Sequence, residues 1–332
     1  MTVVVTGASG HVGANLVRSL LDQGRQVRAV LRGAPIGLEG LDIEHVQGDV
    51  RDRASLERAF AGAEVVFHLA AVISIMGDKG GAVRAVNVEG VRNAAEAALA
   101  AGVRRLVHVS SIHSFDLEDR RAPLDETRPR ATEPHEPAYN LSKYAGEQEL
   151  RRVIERGLDA TIVNPTGIIG PHDYRPSRTG RLLLSLYRRR LPALIPGGFD
   201  FVDVRDVVAG ILAAEERGGI GENYILGGRY TTAKEIGQIA HAITGRRPPR
   251  LTSPMWLARA TAPFSELAGK AMRREPLYTR ESLLALRANP DIRHDRAAEV
   301  LGYRPRPIEE TIRDSYACFA RRGVVPADAV KG

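Results

Sequence analysis

The chain has 332 residues, 43% of them hydrophobic, which is enough to bury a large core as one big domain or two smaller ones. Its formal net charge of +7 invites a nucleic-acid partner. Against that reading, the lysines are only Lys79, Lys143, Lys234, Lys270 and Lys331, and the excess is arginine scattered along the chain, so a nucleic-acid partner is not expected.

The first element is an apolar strand over 2–6 that runs into Gly7, Gly10 and Gly13, spaced G-x-x-G-x-x-G. Residues 11–23 follow with helical periodicity, Leu16, Leu20 and Leu21 lying on one side. Strand, tight glycine turn and helix N-terminus together make a site for a pyrophosphate. Gly7 permits the sharp turn, Gly10 the approach of backbone to phosphate, and Gly13 close packing of helix on strand. Ser9, His11 and Val12 belong to the same turn and are candidate dinucleotide contacts.

Further strands are predicted at 26–31, 43–47, 64–69, 104–110 and 159–164, and helices near 53–60, 82–101 and 138–156. This alternation implies right-handed crossovers and a parallel sheet covered on both faces. Arg32 closes the second strand, where NAD sites commonly carry an acid for the ribose 2′-hydroxyl. An arginine there suits a 2′-phosphate instead, so NADP is expected, with NAD as the alternative. Asp49 and Val50 follow the third strand, and the Asp49 carboxylate can accept from an adenine amino group; a turn aspartate explains it equally well. Leu69, Ala70 and Ala71 close the fourth strand with residues that suit backbone running flat along a cofactor.

Tyr139 and Lys143 are one helical turn apart on one face. An ammonium near a phenol stabilises phenolate, making tyrosine a usable acid or base at neutral pH. Ser110 and Ser111 end the fifth strand, at the carboxyl edge where ligands bind in such sheets.

Beyond Pro165 the rhythm breaks, with Pro171, Pro176, Pro192 and Pro196 before 200 and eight further prolines between 246 and 310. The expected division is 1–170 as dinucleotide-binding domain, with 202–226 rejoining it, and 171–201 plus 227–325 as a substrate-binding region. Arg188, Arg189 and Arg190 end a leucine-rich helical stretch, where cations suit a helix C-terminus. Cys318 is alone, so neither a disulfide nor a cysteine-based metal site is expected, and no metal is called for. Met1 leads straight into the first strand, and no apolar run approaches the ~18 residues of a membrane span. The expectation is a soluble cytoplasmic protein with a small-molecule substrate and no membrane partner, a homodimer being left open.

In their order, Thr6–Gly13, Gly48–Val50, His68–Ala71, Asn87–Gly90, Ser110-Ser111, Tyr139–Lys143 and Asn164–Pro171 resemble the extended short-chain dehydrogenase/reductase family over essentially the whole chain. Within it the likeness is to dihydroflavonol-4-reductase-like enzymes and hopanoid-associated sugar epimerase-like proteins. The resemblance implies an α/β, Rossmann-type doubly wound parallel sheet with a smaller, interleaved C-terminal substrate-binding region. It implies Tyr139 as catalytic acid/base, Lys143 as the group that lowers its pKa and binds the nicotinamide ribose, and Ser111 as holder of the substrate oxygen, with Ser110 beside it. Pro165, Thr166, Gly167 and Ile168 would line the nicotinamide, and Asn87 would support the site.

Two departures narrow the reading. Sugar-nucleotide dehydratases need an Asp-Glu pair after the strand-5 hydroxyl, and here Ile112 and His113 stand there. Sugar-nucleotide epimerases carry an arginine where Phe199 stands, and an apolar ring cannot replace a fork of charged donors, although Arg178 or Arg181 could compensate. Ile73, Ile75, Met76, Phe199 and Phe201, with His113 at the site edge, point to an apolar substrate wall. The expected function is NADP(H)-dependent reduction of a carbonyl or oxidation of an alcohol. A sugar epimerase is the alternative, and a non-catalytic dinucleotide sensor a third reading.

Overall fold

The computed structural model describes the chain apart from Met76, Pro134, residues 272–278, 280–282, 284, 285, 287 and 332, and it describes 265–271 by backbone alone. Seven parallel strands form the central sheet: β1 (Thr2–Thr6), β2 (Gln26–Leu31), β3 (Glu44–Gln47), β4 (Val65–His68), β5 (Arg105–Val109), β6 (Ala160–Pro165) and β9 (Asn223–Leu226). Their spatial order is β3-β2-β1-β4-β5-β6-β9. The direction of winding reverses between β1 and β4, and the carboxyl ends there open the crevice in which such sheets bind ligands.

Alternation along each strand assigns the two faces. Val3 and Val5 pack with Leu16, Leu20 and Ile211 under α1 (His11–Asp22) and α7 (Val204–Arg217). Val4 and Val66 pack on the other face with Leu56, Phe60, Ala94 and Leu150, beneath α2 (Arg53–Phe60), α4 (Gly90–Ala100) and α5 (Ala138–Ile154). Every residue of β6 is buried, as a strand covered on both faces requires.

A second, three-stranded sheet runs β10 (Arg229–Thr232), β8 (Gly198–Asp203), β7 (Gly167–Ile169). Thr166 alone separates β6 in the large sheet from β7 in the small one. The core of this part joins Leu183 on α6 (Arg178–Tyr187), Ile236 on α8 (Ala233–Thr244) and Ile312 and Tyr316 on α10 (Ile308–Arg321). Between α8 and α10 lies α9 (Met255–Ala271). The stretch 202–226 divides: β9 pairs with β6 and α7 covers the large sheet, whereas the end of β8 stays with β7. The helix expected over 82–101 is interrupted, α3 (Ala82–Arg84) passing through a π turn over Ala85–Glu89 before α4. Asn87 in that turn spans the gap to the loop after β4, accepting from Val72 N at 2.8 Å and donating to Val72 O at 2.9 Å.

Candidate active site

The glycine turn leaves no room for side chains. Gly7 has φ +70°, and a Cβ there would lie 2.8 Å from the Ala70 amide nitrogen; at Gly13 it would lie 2.3 Å from Gly7 O. Gly10 caps α1 with no side-chain bond to the first turn, and that turn carries no acidic residue. Backbone N–H groups at a positive dipole end, with no local carboxylate, fit a dinucleotide's pyrophosphate. Thr6 ties this turn to the end of β4, its hydroxyl accepting from the amides of Leu69 at 3.2 Å and Ala70 at 3.3 Å. His11 turns away, its Nε2 meeting Pro171 O at 3.0 Å, and Asn15 donates to the same carbonyl at 3.0 Å. Ser9 and Val12 are half-buried in the turn.

On the adenine side, Arg32 is exposed beyond β2. Arg51 forks the Asp49 carboxylate, with Nη2–Oδ2 at 2.6 Å and Nε–Oδ1 at 3.1 Å. That bond holds the Asp49 carboxyl below the usual carboxylate range, with the Arg32 charge adding to it. Val50 points into the core against Gly90, so it offers a cofactor only backbone.

On α5, Tyr139, Lys143 and Glu147 fall at i, i+4 and i+8, one face of the helix turned to the end of β5. Lys143 is buried and donates to Val109 O at 3.1 Å. Burial brings its pKa down to about 8, while the Glu147 carboxylate pulls the other way. Burial also raises the Tyr139 phenol above its ordinary value, opposed by a hydrogen bond with Ser111 and by the charge of Arg178.

The two serines separate cleanly. Ser110 donates to Glu147, which is fully buried and also accepts from Asn164 at 2.9 Å and Asn223 at 3.1 Å, with Arg130 at 3.2 Å. Asn164 in turn donates to Ser111 O and Ser114 Oγ, both at 3.0 Å. Ser110 is thus engaged behind the site, and Ser111 faces Tyr139. Asn87 donates to Ser142 Oγ at 3.0 Å, bracing α5 against the loop after β4. The Asn87 support was expected from the sequence, whereas the Glu147 anchor was missed; its i+8 position on the Tyr139 face was the available signal.

His113 sits between Tyr139, edge-on at 5.6 Å between centroids, and Phe199, stacked at 6.0 Å. Its Nδ1 meets Asn140 Oδ1 at 3.0 Å. Burial and the Arg178 charge hold its pKa near 4 against an ordinary 6.5, so it is neutral at neutral pH. Phe201 is buried behind Phe199 at 6.0 Å. Pro165 is buried, and Gly167 and Ile168 are half-buried, while Thr166 donates to Asp200 Oδ1 at 2.6 Å. Ala71 and Ile73 are exposed on the loop after β4, Ile75 is half-buried, and Met76 lies outside the described residues. Arg178, considered in the sequence only as a partner for phosphate, acts electrostatically on both Tyr139 and His113.

A family model for the NAD dependent epimerase/dehydratase family matches residues 3–227. The chain belongs to that family. Its members are enzymes of the extended short-chain type, and the glycine cradle and buried Lys143 of this chain fit their nicotinamide dinucleotide. Sterol demethylase protein B of Methylococcus capsulatus is 38% identical over 98% of this chain and 100% of its own length. A dihydroflavonol 4-reductase-like protein of Synechocystis sp. is 35% identical, covering 97% of this chain and 95% of its own. The crystal structure of gox2253 superposes with a TM-score of 0.84 at 35% identity, over 97% of this chain and 98% of that one.

Proposed function

We propose that this family member is an NADP(H)-dependent oxidoreductase that reduces a carbonyl, or oxidises the corresponding alcohol, on a largely apolar small molecule. One observation carries the reading: Tyr139, bonded to Ser111, faces a wall made by His113 and Phe199, where a ring stands in place of a phosphate-binding fork. The names of the sterol and dihydroflavonol relatives accord with an apolar substrate.

When bound along Gly7–Gly13 and the ends of β4 and β5, the nicotinamide dinucleotide supplies the two-electron redox partner. Ser111 Oγ orients the substrate oxygen towards Tyr139. In the reductive direction the Tyr139 hydroxyl gives its proton to that oxygen, and in the oxidative direction it takes the proton back. Lys143, with a pKa brought down to about 8, holds a cation one turn below the phenol and stabilises charge on it as the proton leaves. His113, neutral and stacked on Phe199, and Phe199 itself keep water from that oxygen. Arg32 supports NADP over NAD, since its guanidinium stands exposed where an acid would bind a free ribose hydroxyl.

The test is cofactor absorbance with product analysis across apolar carbonyls, alcohols and nucleotide sugars. Stoichiometric NADPH consumption with an apolar carbonyl is expected. Nucleotide sugars should bind poorly, because Phe199 gives their pyrophosphate no charged fork and Arg178, whose charge reaches Tyr139, would have to answer two phosphate charges whose burial costs several kcal/mol. An isomerised nucleotide sugar with unchanged absorbance would establish the epimerase instead.

A further inference from the structure

Among the described residues, the most exposed large apolar side chains outside the active site gather on one helix and its approach. Leu251, Trp256 and Phe264 are exposed by 70%, 70% and 72%, and Leu257 by 40%. On α9, Ala258 and Ala262 are buried and hold the helix to Ile195, Leu283 and Leu286. Trp256, Ala260 and Phe264, at i, i+4 and i+8, form the opposite face, with Leu257 at its margin. Aromatic rings on one side of a helix, turned outward, are a costly arrangement unless something apolar covers them.

The charge around this face says what covers it. Between 246 and 264 the chain carries Arg246, Arg247, Arg250 and Arg259, all exposed, and no aspartate or glutamate. No described helix is long and apolar enough to cross a membrane. Exposed Trp, Phe and Leu on one face, with arginines predominating before and along the helix and Glu266 its one acid, is the pattern of a helix lying in the plane of an anionic lipid interface.

We propose that α9 docks this protein on an anionic phospholipid surface, with Trp256, Leu257 and Phe264 among the acyl chains and the arginines nearest the helix, Arg250 and Arg259, against the headgroups. The helix is also coupled to the active site. Leu286, which packs on α9, accepts from Gly198 N at 3.1 Å, and Gly198 begins β8 one residue before Phe199. Docking would therefore set the Phe199 wall one packing layer from the acyl region. This deepens the proposed function, on which it rests, by making the substrate a lipid-soluble carbonyl or alcohol taken from the bilayer.

Trp256 is the sole tryptophan, so the intact protein carries its own reporter. Full-length protein is titrated with vesicles of phosphatidylcholine alone and with phosphatidylglycerol added, reading Trp256 emission and co-sedimentation. A blue shift and pelleting are expected with the anionic vesicles, both reduced by salt and both weak on phosphatidylcholine. Phe264→Ser should weaken binding roughly tenfold or more, from the apolar area it withdraws. Arg259→Glu should weaken it on anionic vesicles alone.

Unchanged emission with the protein left in the supernatant would overturn the proposal. So would a vesicle-independent blue shift that grows with protein concentration and is abolished by Phe264→Ser, since the face would then belong to a second copy of the chain. NADPH consumption with a short, water-soluble carbonyl is read in the same preparations. Turnover without vesicle binding refutes docking alone; vesicle binding without turnover on any carbonyl refutes the reductase reading alone.

Discussion

Acid should destabilise this protein through a histidine that the fold keeps neutral. His68, 1% exposed at the end of β4, stacks on His108 with ring centroids 5.4 Å apart. Burial, with the Lys143 charge adding to it, lowers its pKa from 6.5 to about 3. Below pH 6.5 the unfolded chain binds a proton there that the native state refuses, so this contribution to stability is present above that pH and lost as pH falls toward 3. At about pH 4.5, two units below the unfolded value, the loss from this one group is about 2.7 kcal/mol. Against a total stability of roughly 5–15 kcal/mol, that is a large share. The perturbation is His68→Leu, which cannot be protonated but forfeits the 2.9 Å bond between His68 Nδ1 and Thr6 Oγ1. Losing that bond costs about 1 kcal/mol at any pH. The variant should therefore be less stable than the parent by about 1 kcal/mol near pH 7 and more stable by ~1.7 kcal/mol near pH 4.5. Urea melts at the two pH values measure both differences, with the m-value as a check on the denatured state. Parallel pH profiles for parent and variant, with no crossing, would refute the reasoning.

Three further outcomes are expected. Tyr139→Phe should lower kcat by about 10²–10⁴-fold while NADPH still binds by fluorescence titration, because the phenol does chemistry and holds no cofactor phosphate; near-normal turnover would sink that role. Arg32→Ala should weaken NADPH by about tenfold or more and leave NADH nearly unchanged, read as Kd for each; equal losses would remove the 2′-phosphate contact. Gly13→Ala must push Gly7 O away from a Cβ 2.3 Å distant, so dinucleotide binding should fall and thermal unfolding should come several degrees earlier.

Local signals carried most of the fold. The strands at 2–6 and 26–31 and the helix at 53–60 stand where the sequence pattern puts them, and the structure adds an Asp52 cap on that helix, its side chain accepting from Ser55 N. The small sheet was not legible. Its strand β7 is three residues long, follows Pro165 almost at once, and gains its identity only by pairing with residues more than thirty positions on. The π turn over Ala85–Glu89 was equally hidden, because it answers to contacts of the Asn87 side chain with Val72 and Ser142 and not to any local propensity. At the site, side-chain types in sequence gathered Tyr139, Lys143 and Ser111 into one place, and Ser111 was preferred to Ser110 by resemblance alone, with no physical reason for the choice. The physical distinction belongs to Glu147, which accepts from the Ser110 hydroxyl and is itself held by Asn164 and Asn223 from two other elements. The run-length test for a membrane span was silent about α9, since lying on a bilayer needs a face and not a length.

Thr166 is the whole of the connection between β6 and β7, and its hydroxyl is fastened to Asp200, which also accepts from Gly228 N at 2.7 Å. A joint one residue long, clamped on both sides, has no slack to act as a hinge. The two sheets must therefore move as one, and exchange of cofactor and product falls to surface segments such as 116–123 and 174–177. The same stiffness would let those segments change in length and composition over generations, retuning what enters the cleft while Tyr139 stays in register with Lys143.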